Sequence, residues 1–245
     1  MRDVRARQLA IDTRQRLGLQ STEYCDVDRA LTTLGVTCVK RPLQSNMSGA
    51  TMKTEKVRLI LVNTSKTLGH QHFTIAHELF HVLYDENLTT TACKVESFES
   101  ASQSEQVADA FAVHLLMPED AVFNQLRIRG WQGGEVTIAD VVHLEQYFAV
   151  SRKSLCWRLE DLRLITRGQE ESLCRNVVQS ARELGKDLAL YRPTGATKLV
   201  SDYAEKAAEA LRRDLITEAR YEELLADAKL LEEMTEAMEE VDVVD

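Results

Sequence analysis

The stretch QHFTIAHELFHVLYD, residues 71–85, decides the fold because its apolar and polar residues alternate with the period of an amphipathic helix. One broad face of that helix is apolar and consists of Ile75, Ala76, Leu79, Phe80, Val82 and Leu83. The opposite face is polar and consists of Thr74, His77, Glu78, His81, Tyr84 and Asp85. We therefore predict a helix that buries its apolar face and presents a chemically active polar face.

The two histidines of the polar face follow the pattern His-Glu-x-x-His. His77 and His81 are four residues apart, so both imidazoles lie on one face and can bind the same divalent ion. Glu78 lies about 100° around the helix from His77, where it can hold a water molecule at the metal and take its proton. The alternative is a partly buried histidine pair that only forms hydrogen bonds to the backbone.

A catalytic zinc needs a third protein ligand, and two candidates can be excluded by geometry. Asp85 is eight residues from His77, about 12 Å along an unbroken helix, too far for both to bind one ion. A third histidine after a glycine turn, as in His-Glu-x-x-His-x-x-Gly-x-x-His, is also excluded. The chain has Tyr84 and Asn87 at the positions of that glycine and that histidine.

Glu105, at the start of a predicted helix from Gln103 to Met117, is the remaining candidate. Asp109 follows four residues later on the same face, and the nearby Ala112 is small enough to let the two helices approach closely. We expect Glu105 to complete a His2Glu set and Asp109 to form a hydrogen bond with one ligand histidine. The alternative is that both carboxylates lie on a solvated helix face.

A His2Glu site of this kind predicts a zinc-dependent hydrolase that cleaves peptide bonds, with Glu78 as the group that transfers the proton. We expect one Zn²⁺ ion, with Mn²⁺ as the alternative occupant in the cell. Tyr84, on the same helix face, is a candidate donor for the oxyanion. The other four histidines, His70, His72, His114 and His143, lack partners at ligand spacing and are not expected to bind metal.

The rest of the chain predicts an α+β protein. Helices are expected over residues 3–18 and 26–34, followed by strands over residues 36–40 and 57–63, with a turn near Met47-Ser48-Gly49 between the strands. A close helix pair is expected over residues 137–147 and 151–162, with Ser151 as N-cap. Beyond Arg167 the chain is expected to be helical, including residues 196–213 and 218–238.

Composition limits the classes of function. The net charge is −9, and an acidic tail at the end of the chain repels phosphate backbones, so DNA binding is disfavoured. The five cysteines are scattered and form no Cys-x-x-Cys pair, which suits reduced thiols. No signal sequence or membrane-spanning apolar run is recognisable, so a cytoplasmic protein without a membrane partner is expected.

Three ordered blocks of the sequence resemble the ImmA/IrrE family of metallopeptidases, a compact branch of the gluzincins. The blocks are residues 73–81 (FTIAHELFH), 105–112 (EQVADAFA) and 115–118 (LLMP), within a resemblance that covers about residues 5–165. Weaker similarities are Ser48-Gly49-Ala50 and Phe148-Ala149-Val150-Ser151. Phe80 stands where the family usually has glycine, and His70-Gln71-His72 replaces an arginine-rich approach to the helix.

The resemblance implies a small mixed or antiparallel sheet packed on the His-Glu-x-x-His helix, as in a minimal gluzincin-like protease. On this basis we expect a zinc metalloprotease domain over residues 1–125 and a helix-turn-helix-like helical subdomain over residues 126–166. A C-terminal helical extension with an acidic tail would occupy residues 167–245. The helical subdomain is expected to pack on the protease domain rather than to bind DNA.

The family cleaves helix-turn-helix repressors of mobile elements or stress-response genes, generally in bacteria and phages. The resemblance therefore implies a zinc endopeptidase whose protein substrate is such a repressor. The alternative hypothesis is a zinc-containing binding module that controls a transcription factor by sequestration without cleavage. The sequence does not indicate the cleavage site, the activating signal or the oligomeric state.

Overall fold

The structure of the protein is a computed structural model that describes residues 4–55, 57–85, 90–93 and 103–227. Its strands are β1 (Thr37–Arg41), β2 (Gly49–Lys53), β3 (Arg58–Asn63), β4 (Thr90–Cys93) and β5 (Lys198–Val200). The helices up to the middle of the chain are α1 (Val4–Arg16), α2 (Val27–Thr33), α3 (Leu68–Tyr84), α4 (Gln103–Leu116) and α5 (Glu119–Ile128). The later helices are α6 (Ile138–Phe148), α7 (Arg152–Asp161), α8 (Arg167–Leu173), α9 (Val177–Glu183) and α10 (Tyr203–Arg212). One small sheet with helices around it makes this an α+β fold.

The sheet is mixed and has the strand order β4-β2-β3-β1-β5. Strands β1 and β3 are parallel, whereas the pairs β2–β3, β2–β4 and β1–β5 are antiparallel. The strands predicted over residues 36–40 and 57–63 are confirmed as β1 and β3. Ile60 and Val62 of β3 are fully buried, as expected for the central strand of a sheet covered by helices.

Strand β2 occupies a region where the sequence analysis expected only a turn, and Gly49 begins this strand instead of closing a turn. The prediction failed because β2 does not show the apolar alternation of a half-buried strand. Its two buried positions are Gly49 and Thr51, a glycine and a small polar residue. Pairing with β3 on one side and β4 on the other stabilises a segment whose own strand propensity is weak.

Strand β5 corrects a second prediction, the continuous helix over residues 196–213. Residues Lys198–Val200 form an edge strand beside β1, and only α10 within that range is an α-helix. Val200 pairs with Cys38 and is buried. The free edge of β1 therefore overrides the local helical pattern, an outcome that short-range periodicity cannot anticipate.

Helix α3 lies at the centre of the molecule, with the sheet on one side and α4 on the other, while α1 packs across α4. The helix begins at Leu68, three residues earlier than predicted. The Leu68 amide donates to the Arg192 carbonyl at 3.0 Å, which satisfies one of the unpaired N–H groups of the first turn. Phe73, Ile75 and Leu79 are fully buried, and each contributes about 1.5–3 kcal/mol through apolar burial.

Helices α6 and α7 confirm the predicted helix pair. Ala149 ends α6 in the left-handed conformation with φ 53°, and the Ser151 hydroxyl accepts from the Ser154 amide at 3.2 Å as the N-cap of α7. The turn between them packs on the start of α3 at Gly69. A Cβ at Gly69 would lie 2.7 Å from the Ser151 amide nitrogen, so only glycine permits this close approach.

The segment after α7 continues through α8, α9 and a short 3-10 helix over Ala189–Tyr191 before it reaches β5. Residues 218–227 are helical, and the rest of the helix predicted to residue 238, together with the acidic tail, lies outside the described residues. Within the described part of the chain, no helix is long and apolar enough to cross a membrane.

Candidate metal centre

The polar face of α3 brings two imidazoles together in the interior. His77 and His81 are each 1% exposed, and their Nε2 atoms lie 3.3 Å apart. The spacing of four residues stacks the two side chains one turn apart on the helix, as the sequence predicted. Because α3 is covered by the sheet and by α4, packing restricts both imidazoles, which do not rotate freely as they would in solvent.

Glu105, in the first turn of α4, faces both imidazoles. Its Oε2 lies 3.1 Å from His77 Nε2, and its Oε1 lies 3.3 Å from His81 Nε2. Within the described residues, these three side chains form the one group of potential metal ligands whose donor atoms all lie within 4.8 Å of one another. The structure thus brings together the three residues that the sequence analysis named as ligands.

Each histidine has a carboxylate at its other ring nitrogen. Asp109 Oδ1 lies 2.8 Å from His77 Nδ1, and Asp85 Oδ2 lies 3.4 Å from His81 Nδ1. The Ser104 hydroxyl donates to the same Asp85 oxygen at 3.1 Å. A carboxylate can only accept, so we assign the protons to Nδ1 and the lone pairs to Nε2 in both rings.

The contact between Asp85 and His81 was missed from the sequence, although its signal was present. Asp85 was excluded as a ligand because of its distance from His77, and the structure places it beside Nδ1 of His81 rather than among the Nε2 atoms. Asp85 follows His81 by four residues, the spacing of side chains that meet on one helix face. The eight-residue separation from His77 excludes a ligand role for Asp85, and the four-residue separation from His81 could have indicated the hydrogen bond.

The chemistry of these donors fits a metal cation. With the Nδ1 protons committed to Asp109 and Asp85, both neutral imidazoles turn their Nε2 lone pairs towards each other and towards Glu105. Glutamate carboxylates are ordinarily ionised at neutral pH, so Glu105 adds a third acceptor to the two Nε2 lone pairs that it faces. Such a group of acceptors needs positive charge at its centre, and two imidazoles with one carboxylate form a known zinc ligand set.

Glu78 follows His77 on α3, is fully buried and directs its carboxylate towards the sheet. The Thr51 hydroxyl of β2 donates to Glu78 Oε2 at 2.6 Å. Gly49 of the same strand lies next to Glu78, and a Cβ built there would come within 3.0 Å of Glu78 Oε1. The sequence analysis identified Glu78 but not its contacts with β2, because β2 itself was not predicted.

The remaining histidines contact other groups. His70 Nε2 lies 2.9 Å from Ser48 Oγ, His72 Nδ1 lies 2.8 Å from the Ala149 carbonyl, and His143 Nε2 lies 3.0 Å from Gln125 Oε1. His114 lies further along α4, beyond Asp109. All four are outside the group of potential ligands described above.

Tyr84, the candidate oxyanion donor, is engaged with α1. Its hydroxyl lies 2.7 Å from Thr13 Oγ1, and its ring packs beside Phe80 and Phe111. Phe80 is only 4% exposed. These aromatic residues therefore support the helix that carries the histidines, and Tyr84 orients its hydroxyl towards α1.

The cysteines whose side chains are described provide no alternative nucleophile near this centre. Burial raises the pKa of the Cys25 thiol to about 11 and that of the Cys38 thiol to about 12, so both remain protonated at neutral pH. Cys156 is also buried, and its hydrogen bond with Cys174, followed by burial, raises its thiol pKa. These thiols are reduced, in agreement with the scattered cysteine spacing.

Comparison with known proteins gives one informative result. A family model for peptidases described as the IrrE N-terminal-like domain matches residues 31–160, just over half of the chain. The match runs from within α2 to within α7 and includes both α3 and α4, and thus every residue of the candidate metal centre. A search of curated proteins finds no match to the chain. The extent of the family match shows that the chain belongs to the ImmA/IrrE family of metallopeptidases.

Proposed function

We propose that the protein is a zinc-dependent endopeptidase with His77, His81 and Glu105 as metal ligands and Glu78 as the catalytic acid and base. The observation that carries this proposal is the convergence of two imidazole Nε2 atoms and one carboxylate within 3.3 Å, with Glu78 buried one residue after His77 on the same helix. A purely structural zinc is more often enclosed by four protein ligands, whereas three ligands leave a position for chemistry.

The proposed reaction would need a metal ion, one proton-transfer group and two carboxylates that orient the imidazoles. A zinc ion held by these ligands would supply a Lewis acid that polarises the scissile carbonyl and acidifies a water molecule. Glu78 would accept the proton of the attacking water and deliver it to the amine of the departing peptide. Asp109 and Asp85 would keep both imidazoles in the neutral tautomer that presents Nε2 as a donor of electrons.

We further propose that the substrate is a helix-turn-helix transcriptional repressor in the cytoplasm, as the family resemblance implies. Helices α6 and α7 would then form a subdomain that packs on the protease domain and does not bind DNA. Two arginines of α7 support this assignment, because Arg152 and Arg158 are 3% and 2% exposed. Arg152 is paired with the buried Glu145, and Arg158 donates to Asp161 and to the Met117 carbonyl, so neither is presented to a phosphate backbone.

The experiment that tests the function compares the zinc-loaded wild type with Glu78→Gln on the repressor encoded beside the gene. We expect cleavage by the wild type, loss of cleavage in Glu78→Gln and unchanged cleavage in Glu119→Gln, a matched change on the surface of α5. Removal of the metal with a chelator should abolish cleavage, and added Zn²⁺ or Mn²⁺ should identify the ion that restores it. Equal loss of repressor in the wild type and in Glu78→Gln would refute the proposal.

The sequestration hypothesis predicts a different result in the same experiment. A zinc-containing binding module would release the repressor from its promoter while leaving the repressor intact. It would do so equally in the wild type and in Glu78→Gln, since a structural zinc does not need a proton-transfer group. Electrophoresis of the repressor after its release from DNA distinguishes the two hypotheses.

A further inference from the structure

Strand β2 faces α3 through two residues, Gly49 and Thr51. They are two positions apart, so the Thr51 side chain and a Cβ built at Gly49 lie on the same face of the strand. Both are buried, Gly49 lies against Thr74 and Glu78 of α3, and Thr51 contacts Glu78. Their register is fixed by β3, where Gly49 pairs with Val62 and Thr51 with Ile60. The two residues therefore form a contact surface of fixed geometry for the Glu78 carboxylate.

The Thr51 hydroxyl makes the directional contact between this surface and Glu78. It donates to Glu78 Oε2 at 2.6 Å, a length typical of a charge-assisted O–H···O⁻ hydrogen bond. Thr51 is 1% exposed and Glu78 is fully buried, so water does not compete freely for the bond. A β-branched side chain on a central strand has few χ1 rotamers, which restricts the direction from which the hydroxyl approaches.

Gly49 makes the complementary steric contribution. A Cβ at this position would lie 2.6 Å from Thr74 Cγ2, 3.0 Å from Glu78 Oε1 and 3.0 Å from the Leu61 carbonyl oxygen. The last contact is with a backbone atom of β3, so relieving it would require a shift of the sheet backbone. Any side chain at position 49 would therefore push against α3 where Glu78 projects.

We propose that Thr51 is a positioning residue for Glu78, and that β2 holds this carboxylate in the orientation needed for proton transfer. The inference rests on the proposed function of Glu78. A glutamate has three rotatable side-chain bonds, and fixing one carboxylate oxygen to the sheet limits the directions that the other oxygen can take. Orientation of this kind contributes to catalysis because small displacements of a reacting group reduce the rate strongly.

The competing explanation is that Thr51 only satisfies a buried carboxylate and thereby stabilises the fold. Three variants separate the two explanations. Thr51→Val removes the hydroxyl at nearly constant volume, and Thr51→Ser keeps it. Thr37→Val is the matched control, since Thr37 is a half-buried threonine on β1 of the same sheet.

The first measurement is steady-state cleavage of the repressor at saturating zinc. Thr51→Val should lower kcat by about tenfold or more with little change in KM, because the hydrogen bond that it removes involves a charged group. Thr51→Ser should restore most of kcat, and Thr37→Val should match the wild type. A Thr51→Val variant with wild-type kcat, or a Thr51→Ser variant as slow as Thr51→Val, would overturn the inference.

The second measurement needs no activity and uses the zinc-free protein. Thr51→Val should lower the free energy of unfolding more in the wild type than in the Glu78→Gln background, because only the wild type has the charged acceptor. The amide oxygen in Glu78→Gln can also accept from the Thr51 hydroxyl, so equal losses in the two backgrounds would show that the hydrogen bond gains no strength from a charged Glu78, which would contradict the inference. If the wild type cleaves no faster than Glu78→Gln, the proposed function fails, and this stability cycle still decides whether Thr51 holds Glu78.

Discussion

At the residue scale, each imidazole of the centre depends on a carboxylate that contacts its second ring nitrogen. Asp109 contacts His77 at 2.8 Å, and Asp85 contacts His81 at the longer distance of 3.4 Å. Partners of this kind fix the tautomer and the ring orientation of a metal-binding histidine. The shorter contact belongs to the residue on α4, so α4 would contribute both a ligand and an orienting group.

A substitution at Asp109 tests this dependence. Asp109→Asn should weaken zinc binding by about 10- to 100-fold, because the neutral amide no longer favours the required tautomer of His77. Competition with a chromogenic chelator measures the affinity. Asp120→Asn, a change at an exposed aspartate on α5, should bind zinc as the wild type does. Equal zinc affinity for Asp109→Asn and the wild type would contradict the role assigned to Asp109.

Phe80 makes a second prediction at this scale. The residue is 4% exposed, and its ring lies 5.8 Å from Phe111 and 5.5 Å from the His81 ring. Phe80→Ala should lower the free energy of unfolding by about 3–5 kcal/mol through lost burial and the cavity left behind. Urea denaturation measures the change, and Phe123→Ala, at a partly exposed ring, should cost less. A loss at position 80 no larger than that at position 123 would be inconsistent with a packing role.

The sequence predicted the residues of the site with uneven success, for physical reasons. His77, Glu78 and His81 could be named because metal ligands impose a spacing that is visible along one helix, and Glu105 because the next helix carries an acidic pair four residues apart beside a small residue. Thr51 could not, because its contact with Glu78 joins residues that are remote in sequence and depends on a strand with a weak signal of its own. Contacts between helices with clear periodicity could therefore be predicted, whereas a contact with a strand that has no clear pattern could not.

At the element scale, β5 joins the C-terminal part of the chain to the sheet that supports α3. Just before β5, Thr194 accepts from the Gln71 side chain at 3.1 Å, and the Arg192 carbonyl accepts from the first turn of α3. The sequence predicted a helix here because it records short-range periodicity, whereas the exposed edge of β1 is a property of the folded sheet. The extension therefore contributes directly to the element that carries the histidines.

A charge placed on β5 tests this contribution. Val200 is 6% exposed, so Val200→Asp should place an unpaired carboxylate against β1 and destabilise the protein by several kcal/mol. Lys198→Ala should cost at most about 1 kcal/mol, since its ion pair with Asp28 is exposed. Thermal and urea denaturation measure both variants. Similar stabilities for the two would indicate that β5 is dispensable.

At the scale of the whole molecule, half-buried histidines make stability depend on pH. Burial, followed by the charge of Arg158, lowers the pKa of His114 from 6.5 to about 4. Burial also lowers the pKa values of His72 and His143. When the folded-state pKa is the lower one, the unfolded chain binds more protons as the pH falls. The stabilising contribution is therefore present above about pH 6.5 and is lost progressively towards pH 4.

The His114→Gln variant isolates one part of this dependence. Between about pH 7.5 and pH 5, the free energy of unfolding of the wild type should decrease more than that of His114→Gln, because the variant has no proton to bind at this position. Urea denaturation at several pH values in the zinc-free protein provides the comparison. Parallel curves for the two proteins would show that His114 does not titrate differently in the folded and unfolded states.

The central claim is that His77, His81 and Glu105 hold one zinc ion while Glu78 stays outside the ligand set. Anomalous X-ray diffraction from crystals of the zinc-loaded protein, recorded on both sides of the zinc absorption edge, tests it most directly. We expect a single strong peak in contact with both Nε2 atoms and the Glu105 carboxylate, with three protein ligands. A zinc peak enclosed by four protein ligands, or no peak between these three side chains at saturating zinc, would contradict it.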